Sequence, residues 1–139
     1  MIEIDTPDGL AYAQYTHEHR DPPRFGSLLR VVPGVYSERP TDFASLVEQE
    51  ERFSVFFPLG AALNRGIFRI VANVAVPKTK RAFPVFGSLS DDGKFWWMWD
   101  GKREWKARSP RQRRPRALDE IWNDTLLVER IADANWTPP

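Results

Sequence analysis

The chain has 139 residues, 42% hydrophobic and 28% charged, with 20 Lys and Arg against 19 Asp and Glu. This length supports one core of ordinary stability, and residues 1–139 read as a single domain. With no cysteine, disulfides and thiolate metal sites are excluded, and no apolar run approaches the ~18 residues that span a bilayer.

The start, Met1-Ile2-Glu3-Ile4-Asp5, is acidic and lacks the basic-then-apolar pattern of a secretion signal, so a cytoplasmic protein is expected. Charge is spread unevenly. Residues 1–51 carry four Lys/Arg against ten Asp/Glu, residues 52–101 seven against three, and residues 102–139 nine against six. The basic excess gathers in Lys102, Arg103, Lys106, Arg108, Arg111, Arg113, Arg114 and Arg116. A surface polarised in this way favours oriented electrostatic encounter.

In chain order, Pro7-Asp8-Gly9 marks a turn and Leu10 to Thr16 a strand, while His17 to Arg24, with Pro22-Pro23, reads as a loop. Phe25 to Val32 is a second strand, ended by Pro33-Gly34. Thr41 offers an N-cap for a helix to about Glu51, with Asp42 near its start and Phe43, Leu46 and Val47 on one side. Phe53 to Phe57 is a strand stopped by Pro58, and Leu59 to Arg65 a short helix closed by Gly66. Ile67 to Val76 has the longest strand pattern, with Phe68, Ile70, Ala72, Val74 and Val76 apolar and Arg69 and Asn73 on the alternate face. The basic loop Lys78-Thr79-Lys80-Arg81 then leads to a short segment, Phe83 to Phe86.

Four of the six tryptophans fall within ten residues, Trp96, Trp97, Trp99 and Trp105. The run Phe95 to Trp99 lies between two Asp/Gly turns, too short for a helix, and reads as a strand. Parity puts Phe95, Trp97 and Trp99 on one face and Trp96 and Met98 on the other. One face fills a core, with Trp97 expected at its centre; the other is either buried as well or available for binding. After it, Ser109 to Pro115 reads as an irregular connection. Ala117 to Asp133 has helical spacing, with Leu118, Ile121, Trp122, Thr125 and Val128 on one face. The order predicts an α+β fold: a strongly bent, mostly antiparallel, barrel-like sheet with short helices and a C-terminal helix.

Asp8-Gly9-Leu10-Ala11-Tyr12, the strand–helix–glycine run from Phe53 to Gly66, and the strand from Ile67 closed by Pro77 form a connected pattern. Pro84-Val85-Phe86, the Gly93 turn with its aromatic strand to Gly101, and the helix from Leu118 to Ile131 continue it. In this order the pieces resemble the immunity protein 26 family of bacterial polymorphic toxin systems. The resemblance implies a β-rich cytoplasmic binding protein, without catalytic residues, that neutralises a toxin encoded nearby.

Other chemistry finds little support in the residues. His17-Glu18-His19 with Asp21 has metal-ligand character but no third ligand at a diagnostic spacing, so a solvated loop is the plainer reading. No Gly-x-Ser-x-Gly element, cysteine nucleophile or phosphate loop is present, and no cofactor or catalytic group is assigned. The leading expectation is a protein that occludes a toxin's active site or substrate surface, anchored by Trp96, Trp99, Arg103, Trp105 and Arg108. The acidic N-terminal third is the rival face, since an acidic inhibitor would steer a basic toxin. The alternative is a nucleic-acid-binding module in which the Trp hairpin stacks bases and the basic segment 102–116 holds phosphates.

Overall fold

The structure, a computed structural model, describes residues 1–107 and 117–138, with side chains from Glu120 onward in the second stretch. Strands β1 (Ile2–Thr6), β2 (Gly9–His19), β3 (Gly26–Val31) and β4 (Phe53–Phe57) form an antiparallel meander. Two six-residue helices flank β4: α1 (Phe43–Glu48) before it and α2 (Leu59–Asn64) after it. A two-residue strand β5 (Arg69–Ile70) pairs with β1. Strands β6 (Phe86–Leu89), β7 (Trp96–Trp99) and β8 (Glu104–Lys106) form a second antiparallel meander, followed by β9 (Ala117–Ile121) and α3 (Asp124–Ala132).

The strand order is β5-β1-β2-β3-β4-β9-β6-β7-β8, antiparallel except where β9 lies parallel to β4 and β6. This is the expected α+β fold with a mostly antiparallel sheet. The β6–β9 join is the single pair Phe86↔Ala117, so six strands stand on one side of it and a three-stranded meander on the other. The sheet is open rather than barrel-like. Its edges are β5 and β8, and segments of two and three residues offer too few backbone groups to close a ladder.

The best-read element is β4. All five residues are buried, as an interior strand covered on both faces requires. Phe53, Val55 and Phe57 face a core built with Ile4, Leu29, Val31 and Leu127. Phe56 faces the other way, into a cluster with Leu28 and Phe86 that Phe25, Phe83 and Trp99 complete. A third cluster, Met1, Tyr12, Val32, Leu46 and Val47, seats α1.

Several boundaries differ from the sequence reading. The predicted helix from Ala117 is a strand to Ile121 and a helix only from Asp124, where the Asn123 side chain accepts from the Leu126 N–H at 2.8 Å. Helical spacing lost to strand pairing here because β4 has a second edge to satisfy, and β9 supplies its partner. Between Ile67 and Val76 only Arg69–Ile70 pairs as strand, and Ile70, expected on a buried face, is 64% exposed at the sheet edge. The following carbonyls are taken instead by non-ladder donors: Ala72 by the Met1 ammonium at 2.7 Å, Val74 and Ala75 by the Gln14 amide. Asp42, not Thr41, caps α1, accepting from the Ser45 N–H at 2.9 Å, and the helix stops at Glu48. His17-Glu18-His19, read as loop, continues β2 beyond an irregularity between Tyr15 and His17. The connection from Ser109 to Pro115 lies outside the described residues.

Candidate protein-binding face

The β6–β7–β8 meander is shaped by two polar turns. At the first, the Ser90 hydroxyl donates to Asp92 at 2.7 Å and accepts from the backbone N–H groups of Lys94 and Phe95. At the second, one Asp100 carboxylate oxygen accepts from the N–H groups of Arg103 (2.8 Å) and Lys102 (3.0 Å), which hold the carboxyl below the usual carboxylate range. Gly101 follows with φ +92°, and a Cβ there would lie 2.8 Å from the Phe83 ring, so both backbone and space demand glycine.

Register sorts the aromatics. Phe86↔Trp99 and Ser88↔Trp97 share one face; Gly87↔Met98 and Leu89↔Trp96 share the other. The parity is as expected, but burial follows position along the strand. The ring of Trp99 lies 5.0 Å from His19, 5.3 Å from Phe86 and 5.4 Å from Phe25, within the central aromatic cluster. Two residues back on the same face, Trp97 is 39% exposed. The expectation of Trp97 as the core residue is therefore corrected: the cluster under the meander ends at Trp99, and the strand runs on past it. On the opposite face Met98 is buried and Trp96 and Trp105 are half-buried.

The exposed end carries a compact group. Trp97 packs edge-on to Phe95 at 5.3 Å, and the Lys106 ammonium stands 3.8 Å over the Phe95 ring, brought there by Trp97↔Lys106 pairing. Leu89, 52% exposed, ends β6 on the other face. Of the residues expected as anchors, Trp96 and Trp105 stand on the half-buried face, and Trp99 belongs to the core cluster. Arg103 is 85% exposed beside Asp100 at 3.5 Å, and Arg108 lies outside the described residues. Sequence reading missed the group of exposed Trp97 and Lys106 with half-buried Phe95, because only the register of β8 brings the lysine to the rings.

The meander is fastened to the sheet through His19. Its Nδ1 accepts from the Phe25 N–H at 3.4 Å, so Nε2 carries the proton and donates to the Gly101 carbonyl at 3.3 Å. His17 points to the same side, its ring 5.4 Å from Phe83. Its Nε2 lies 2.9 Å from the Arg81 carbonyl. Among the described residues no group of three or more His, Asp or Glu side chains is placed to hold a metal.

The acids of the N-terminal third are largely engaged within the fold. Glu3, buried, accepts from both ends of the Arg39 guanidinium (2.7 and 2.9 Å), from Arg69 and from the Tyr12 hydroxyl at 2.9 Å. Arg39 first, then Arg69 and Tyr12, outweigh burial and bring its pKa down to about 2. Burial and the same carboxylate push the Tyr12 phenol up to about 12. Asp5 pairs with Arg69 at 2.9 Å, and Glu51 with Lys80 at 2.6 Å and Arg30 at 3.1 Å. The charge polarity along the chain is thus partly cancelled by folding, since Arg69 and Lys80 come from the basic middle third.

A second concave feature lies beside His17, where β2, β3 and β4 meet the Lys78–Lys80 turn. It has a volume of about 220 Å³ and is lined by Arg30, Glu51, Ser54, Lys80, Leu28 and Phe83, among others. Arg30 is buried and donates to Glu51, to Gln14 at 3.1 Å and to the carbonyls of Val47 and Gln49. A single charge inside the apolar run Leu28-Leu29-Arg30-Val31-Val32 was the sequence's only mark of this cleft. No helix among the described residues is long and apolar enough to cross a membrane. Compared with family models, with curated proteins and with solved structures, the chain matches none.

Proposed function

We propose that this protein is an immunity protein that binds a bacterial toxin and neutralises it by covering the toxin's active site or substrate surface. The observation that carries the reading is the Phe95–Trp97–Lys106 group, Trp97 and Lys106 exposed and Phe95 half-buried, on a meander whose base, Trp99, is fixed in the core. Aromatic anchors held rigidly at low entropic cost, with a cation beside them, are the composition of interface hot spots. Inhibition of this kind asks no chemistry of the binder. The family resemblance supplies the class of partner. The rival acidic face is weakened by the ion pairs that engage Glu3, Asp5 and Glu51. The chain beyond β8 carries Arg108, Arg111, Arg113, Arg114 and Arg116, which favours a partner with an acidic rim.

Growth protection tests this reading. Co-expression with the toxin domain encoded beside the gene should rescue growth, and Trp97→Ala should abolish rescue while the protein stays folded. No rescue by the wild-type protein, or full rescue by Trp97→Ala, would contradict it.

A further inference from the structure

The cleft of about 220 Å³ beside His17 has more hydrogen-bond donors than the described residues supply acceptors for. Lys80 gives one ammonium proton to Glu51 at 2.6 Å, leaving two without an acceptor among the described residues. Arg30 uses Nε for Glu51, one Nη1 proton for Gln14 and both Nη2 protons for carbonyls, which leaves one Nη1 proton. Ser54 is 5% exposed and faces the same side of the sheet as Arg30, its cross-strand partner. Its hydroxyl makes no hydrogen bond among the described residues and, since none of their enclosed side-chain polar atoms lacks a partner, it is open to the cleft. Glu51 accepts from both cations. Lys78 and Arg81 flank Lys80 in the adjoining turn and add to the positive potential. The lining also includes the apolar side chains of Leu28, Phe83 and Pro84.

We propose that this cleft binds a small free carboxylate, its oxygens held by Lys80, Ser54 and Arg30 and its apolar body laid against Leu28, Phe83 and Pro84. A carboxylate brings acceptors and no donor, which is what a surplus of donors asks for. The volume is below the ~300 Å³ at which ordinary ligand pockets begin, so the body is short.

Titration of the protein with benzoate, followed by amide NMR shifts, tests the assignment. Signals of residues 28, 54, 79 and 80 should move together along one saturable curve. Lys80→Met should weaken binding at least tenfold, whereas Lys102→Met, an equal loss of charge on the meander, should leave it unchanged. Ser54→Ala, which removes the hydroxyl with little change in packing, should weaken it about threefold or more and carries the test should Lys80→Met fail to fold. Acetate, which has the head without the body and mimics a protein aspartate, should bind at least threefold more weakly. Non-saturating shifts, equal effects of Lys80→Met and Lys102→Met, or an unchanged affinity in Ser54→Ala would each overturn the site. Acetate binding as tightly as benzoate would assign the cleft to a protein side chain and overturn the free-ligand reading.

Discussion

Two tryptophans on one face of β7 should lose very different amounts of stability on truncation. Trp99→Ala empties the middle of a cluster in which the indole meets His19, Phe25, Phe83 and Phe86 at 5.0 to 5.7 Å. Full truncation of a buried aromatic costs about 3–5 kcal/mol, and because Trp99 is only half-buried we take about 3 kcal/mol. Unfolding entropy of about 2.1 cal/mol/K per residue makes each kcal/mol worth roughly 3 °C in a chain of this length, so the Tm should fall by about 10 °C. Trp97→Ala removes a solvent-side ring whose recorded ring contact is Phe95 at 5.3 Å. A surface aromatic pair along one strand contributes about 1 kcal/mol, or about 3 °C. Calorimetry on both variants reads the difference directly. A larger drop for Trp97→Ala than for Trp99→Ala would refute the burial of this face and, with it, the choice of Trp97 as an anchor.

Glu3 should make the protein sensitive to acid. Its folded pKa of about 2 lies below the ordinary carboxylate value, so its contribution is fully present above about pH 4.5 and is lost as pH falls toward 2; urea melts should show a loss of about 2–3 kcal/mol across that window, largely flattened in Glu3→Gln. Arg30→Lys should not substitute for the buried guanidinium, because one ammonium cannot reach Glu51, Gln14 and two carbonyls at once; a destabilisation of about 3 kcal/mol is expected by chemical denaturation, and wild-type stability would refute the role. Asn123→Ala should lower stability by about 1 kcal/mol, as loss of an N-cap does; a gain in stability, expected of alanine inside a helix, would instead support a helix running on from Ala117.

The strongly patterned elements were legible in the sequence for physical reasons. Phe53 to Phe57 is apolar at every position but Ser54 because β4 is interior on both faces, and the aromatic strand was delimited by turns whose Ser, Asp and Gly chemistry is local. What failed depended on neighbours distant in sequence. Ala117 to Ile121 carries helical spacing, yet the free edge of β4 recruits it as a strand. Ile70 alternates like a core residue, yet β5 is the edge of the sheet. Parity correctly placed Trp97 and Trp99 on one face, but not the point along that face at which the core ends. The exposed group and the Arg30 cleft share this property: each is assembled from strands whose register no local pattern reveals.

The most direct measurement of the proposed function is amide hydrogen exchange of the protein alone and in complex with the toxin domain it is proposed to neutralise. The meander should gain protection at residues 88–89, 95–97 and 104–106, while the exchange of β1 and β5 stays as in the free protein. Protection confined to β1, β5 and the Arg39 segment, with the meander unchanged, would move the interface to the acidic third and contradict the assignment of Trp97 and Lys106 to it.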